Sequence, residues 1–252
     1  MIVEALPQNV FIFLLIFSRL GTMLMLMPAL GEISVSPRIR LVMAVTLAGV
    51  MMPTLGGAYE ALPTTIPGLA ITVLGEMLIG FFIGVSARLT MSALQVAGTV
   101  IAFQTGLAFA QNVDPTQGIQ SAIVGTFITV LAVALIFATD LHHLMLVAAR
   151  DSYTLFVPGQ VLPAGDFAEM AVRTVSGAFK LGIQIASPFV VFGLTFYLGI
   201  GILSRLMPQL QVFFIAMPAN IFLGFFLLML LLSAMMMWFL EFFEQTLIQF
   251  TI

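Results

Sequence analysis

Asp140, His142 and His143 fall within four consecutive positions, and imidazole beside carboxylate is the donor chemistry of a divalent-metal site. The spacing argues against one. The two histidines are adjacent, not four apart as in the zinc-binding HExxH helix, and the chain has no other histidine to complete a tetrahedral set. The expectation is an interfacial or hydrogen-bonding role, with no metal and no cofactor. Nucleotide chemistry fares no better. Gly199-x-Gly201 lacks the third glycine of a dinucleotide fingerprint, and neither GxxxxGK[ST] nor GxSxG occurs. With no cysteine, thiolate catalysis, cysteine metal sites and disulfides are excluded. Nothing here points to an enzyme.

A second group of residues is out of place rather than clustered. Arg19, Glu76, Arg88, Asp140, Arg173 and Lys180 all interrupt apolar runs. A charge at mid-bilayer costs about 2.5–3.5 kcal/mol on insertion scales, so each needs a reason. It can line an ion pathway, pair with another subunit, or lie outside the hydrocarbon. Arg19 is the most informative, because it sits near the middle of its run.

The elements that must position these residues are membrane helices. The 252-residue chain is 61% apolar and 8% charged, against about 45–50% and 25% for a soluble domain, and its mean hydropathy is +1.18. A spanning helix needs about 20 mainly apolar residues. Runs at 10–30, 39–55, 66–103, 122–149, 170–203 and 212–240 meet that length or approach it. The fold class is therefore an all-α membrane protein of about six long, partly broken hydrophobic helices. The period-2 alternation of a barrel is missing. Pro218 is expected to bend the last helix. Gly80 and Gly84 in GFFIG form a small-xxx-small pair suited to close helix contact. Glu4 occupies the place of a basic signal-peptide n-region, so the first run is expected to be retained. No basic cluster suggests nucleic acid; lipid is the expected surroundings. Arg38, Arg40 and Arg205 on one set of connections favour both termini on the outer face, with Arg150 as the exception.

Residues 103–121, FQTGLAFAQNVDPTQGIQS, are the most unusual connection. They carry the side-chain amides Gln104, Gln111, Asn112, Gln117 and Gln120, the single charge Asp114, and no Lys or Arg. Gly106 and Gly118 allow unusual backbone angles, and Asp114-Pro115 suits either a helix start or a turn. Leu107 and Phe109 supply apolar anchors. Amides satisfy backbone groups without the desolvation cost of ions. The segment is either a re-entrant or lumen-facing loop, or an ordinary exposed one.

Three stretches carry a family resemblance. One is Gln104-x-Gly106-Leu107-x-Phe109-Ala110 with Val113-Asp114-Pro115-x-x-Gly118. The second is Asp140-x-His142-His143-Leu144 followed by Ser152 and Pro158. The third is Arg205-x-x-Pro208-Gln209-Leu210-x-Val212-Phe213-Phe214-x-x-x-Met217-Pro218. Together they resemble the R-type export-gate family of flagellar type III secretion, the FliR family. Leu141 departs from the glycine often found there, which bears on local helix geometry.

The resemblance implies a non-enzymatic part in a channel that secretes unfolded flagellar proteins through the bacterial inner membrane. It implies P-type and Q-type gate subunits, a membrane-embedded switch subunit and the basal-body ring as partners. It also implies a P-like part over 1–165 and a Q-like hairpin over 170–252. The 103–121 loop, including Gln111, Asn112, Asp114, Pro115, Gln117 and Gly118, would plug the closed lumen. Arg205, Pro208 and Gln209 would form a turn at the cytoplasmic base. Arg19, Glu76, Arg88, Asp140 and Lys180 would meet neighbouring subunits. The competing reading is a secondary transporter using Arg19, Glu76, Asp140 or Lys180; it calls for an inverted repeat, and none is evident.

Overall fold

The computed structural model describes residues 2–32, 35–59, 65–108, 123–160, 164–207 and 212–252. Among them are seven α-helices and no strand: α1 (Ile2–Leu26), α2 (Pro37–Leu55), α3 (Ile66–Gln104), α4 (Ile123–Ala138), α5 (Leu141–Leu155), α6 (Ala164–Leu206) and α7 (Val212–Ile248). Five are long and apolar enough to cross a membrane, and the bent pair α4–α5 makes a sixth candidate. In lipid a helix satisfies its own backbone, which is why this composition folds this way.

Local chemistry sets several boundaries. Ser36 caps α2 by accepting the Ile39 N–H, and Pro37 occupies the first turn, where its missing N–H costs nothing. Arg40 reaches back to the Val35 and Gly31 carbonyls and closes the preceding turn. The run expected at 122–149 is broken at Asp140, where the chain bends by 74°. Asp140 carries the break with φ 59°, a left-handed conformation that Asp tolerates better than most residues. Leu141 is then the first residue of α5, so no glycine is needed there. Helix α7 continues through Pro218 as one element.

Helices α3, α6 and α7 have 39, 43 and 37 residues. At 1.5 Å per residue even the shortest of them is about 55 Å long, well beyond about 30 Å of hydrocarbon.

The chain forms two compact units. The first comprises 1–90, 136–175 and 243–252; the second comprises 91–135 and 176–242. In the first, Gly80 and Gly84 let α3 lie directly against α1. A Cβ at Gly80 would overlap the Arg19 carbonyl oxygen, and one at Gly84 would press on Leu26 and the Met23 carbonyl. The GFFIG pair is thus a helix-contact face, as its spacing suggests. Phe82 stacks on Phe167 and meets Phe250 edge-on, which ties three distant segments into this core. In the second unit, Ala97, Ile101, Ile128, Ile185, Phe189 and Phe239 are among the buried side chains.

Candidate functional site

In the first unit the buried charges meet each other. Arg19 is fully buried on α1 and Glu76 is 2% exposed on α3. Arg19 Nε donates to Glu76 Oε2 at 2.5 Å and Nη2 donates to Oε1 at 3.1 Å, the two-pronged geometry that guanidinium and carboxylate favour. The other donors turn to the end of α5. Nη1 bonds the Ser152 carbonyl at 2.9 Å and Nη2 the Phe156 carbonyl at 3.0 Å, with a longer contact to Ser152 Oγ. Ser152 lies in the last turn of α5, where its carbonyl also accepts the Phe156 N–H, and Phe156 follows the helix directly, at the negative end of its dipole. The Tyr153 ring lies under the guanidinium at 4.1 Å. Arg19 therefore caps α5 while neutralising Glu76.

Tyr59 completes this cluster. It is buried beside Tyr153, and its hydroxyl makes no hydrogen bond of good geometry although Glu76 is near enough to act on it. Burial, then the neighbouring Tyr153 and Glu76, push its hydroxyl well above the usual tyrosine range. Beside Ser152 on α5, Asp151 accepts from Arg150 at 2.8 Å and from the Ile252 backbone N–H at 3.2 Å.

The other charges singled out in the sequence differ in kind. Arg88, Asp140, Arg173, Lys180 and Arg205 are exposed on the single chain, and Arg173 pairs with Glu169 one turn earlier at 2.5 Å. Arg19 and Glu76, expected at subunit contacts, find their partners inside the chain. At the α4–α5 break the structure brings Asp140, His142 and His143 together, with donor atoms within 4.8 Å of one another and His143 Nδ1 3.6 Å from Asp140 Oδ1. The cluster lies at the left-handed Asp140, and Asp140 and His143 are exposed.

In the second unit the described residues end α3 just where the amide-rich segment begins. Thr105 N–H bonds the Ile101 carbonyl, Gly106 adopts φ 75°, and helical backbone resumes at Leu107 and Ala108. Asn220 on α7 donates its Nδ2–H to the Gln104 carbonyl at 3.2 Å. Phe109, Gln111, Asn112, Asp114, Pro115, Gln117 and Gly118 lie outside the described residues, as do Pro208 and Gln209. Sequence reasoning overlooked Asn220, Tyr59 and Tyr153. Asn220 carried a usable signal, an amide inside an apolar run. The tyrosines carried none.

These features define a multi-pass helical membrane protein whose buried charges are satisfied within the fold. Residues 10–246 match the family described as bacterial export proteins, family 1. The chain is 42% identical to the flagellar biosynthetic protein FliR of Caulobacter vibrioides over 229 residues, 91% of each chain. It is 30% identical to FliR of Bacillus subtilis over 88% of this chain and 86% of that one. The identity to FliR of Escherichia coli is also 30%, over 78% and 75%. The chain belongs to this family, the FliR-type proteins of bacterial flagellar export.

Proposed function

We propose that the chain is a non-enzymatic subunit of the flagellar export gate in the bacterial inner membrane. In this reading it forms part of the channel for unfolded flagellar proteins, and the 103–121 segment plugs the closed lumen. Its termini face outward, residues 1–165 form a P-like part and 170–252 a Q-like hairpin. P-type and Q-type subunits, the switch subunit and the basal-body ring surround it. The carrying observation is the end of α3. A long apolar helix ends at Gln104, the left-handed Gly106 follows, and the sequence there is rich in amides and nearly free of charge. A segment that must block ions yet yield to an unfolded chain is better served by neutral donors and acceptors than by ion pairs, which hold strongly once buried.

Two further features support the reading. Large apolar side chains such as Val191, Leu198, Phe222, Met229 and Met237 are exposed along α6 and α7, as lipid or subunit neighbours require. The Arg19 donors are used up by Glu76 and the end of α5, which leaves a transporter reading without its best candidate for ion handling. Deleting residues 107–118 tests the plug. Ion leak through the assembled complex should rise, and unchanged conductance with assembly intact would falsify the assignment. Co-purification with P-type and Q-type subunits tests the partners; a monodisperse monomer that binds a small solute would refute them.

A further inference from the structure

We propose that Asn220 is the positioning residue that fixes where the chain leaves α3. Four observations carry this. Asn220 is 3% exposed in an otherwise apolar stretch of α7, where a buried amide is costly unless it is used. Its Nδ2–H bonds the carbonyl of Gln104, the last residue of α3, an acceptor that the left-handed Gly106 removes from the helical ladder. Its Oδ1 has no partner, and the side chain lines a void of about 20 Å³ with Gly106, Tyr197 and Met217, room for one water. One turn further along α7, Gly224 lets Thr105 seat against the helix backbone, since a Cβ there would overlap the Thr105 side chain.

Asn220 thus holds the carbonyl of Gln104 while Gly224 receives Thr105, and the last turn of α3 is pinned at two successive residues. Without the amide, the Gln104 carbonyl has no donor at this depth, and the Thr105 and Gly106 amides lose the frame that keeps them paired to Ile101 and Phe103. The inference rests on the plug reading only for its functional meaning, which is that the pinned turn sets where the plug begins.

The test is hydrogen exchange on the full-length chain in its assembled complex. Asn220→Leu keeps the branched shape and removes the donor; Asn220→Ala removes both. Each should speed exchange of the Thr105 and Gly106 amides by about two- to tenfold, the span of one net hydrogen bond. Peptides around Arg19 should exchange as before. Unchanged exchange over residues 101–108 in both variants overturns the proposal, and so does faster exchange throughout the chain, which would mean general loosening. Conductance after deletion of 107–118 judges the plug separately, since it does not depend on Asn220.

Discussion

Arg19 and Glu76 stand 57 positions apart in sequence and share two hydrogen bonds in a site that excludes water. Neither is tolerable alone. A buried pair stripped of one member leaves an uncompensated charge and costs about 3–5 kcal/mol, whereas replacing both with apolar groups of similar volume is often nearly neutral.

Arg19→Met and Glu76→Leu should therefore each destabilise the purified chain by about 3–5 kcal/mol. The double variant should recover much of that loss, though not all, because the Phe156 carbonyl loses the Arg19 donor and the Ser152 carbonyl keeps only the Phe156 N–H. A double-mutant cycle by thermal or denaturant unfolding measures the coupling. Additive losses would mean that the two side chains act independently.

Gly80 is where the pair depends on backbone. Any side chain there meets the Arg19 carbonyl, so α1 and α3 must separate. Gly80→Val should lower stability by about 1–3 kcal/mol through overpacking and also loosen the Arg19–Glu76 bonds. Gly49, where an added Cβ meets nothing, is the control: Gly49→Ala should be neutral or slightly stabilising.

Tyr59 predicts an alkaline limb. Its hydroxyl is raised above the ordinary value of about 10 by burial, with Tyr153 and Glu76 adding to the effect and Arg19 opposing it. Between the unfolded and folded values the native state holds more protons, so stability falls as pH climbs past about 10. Tyr59→Phe removes the unpartnered hydroxyl and should make that limb shallower, the buried Tyr153 keeping the rest, while leaving stability at neutral pH unchanged or improved. Unfolding profiles of both proteins between pH 8 and 11 decide it; parallel profiles would count against Tyr59 as the source.

What the amino-acid order determined by itself was whatever depends on one dimension. Apolar run length required membrane helices, Ser36-Pro37 marked a helix start, and the Gly80–Gly84 spacing announced a packing face. Gly106 was recognisable as a place for unusual backbone, and it adopts one. The family was legible too, in motifs around Gly106, Asp140 and Arg205.

The tertiary structure alone decided which charges are internal. Arg19, Glu76, Arg88 and Lys180 look alike as interruptions of apolar runs, yet two are buried against each other and two are exposed. Run hydropathy records the cost of a charge but not the distance to its partner, and that distance depends on how α1, α3 and α5 pack. The same holds for Asn220, whose role is visible only once α7 lies beside the end of α3. The break at Asp140 rests on a single left-handed residue, a torsion that no spacing rule encodes.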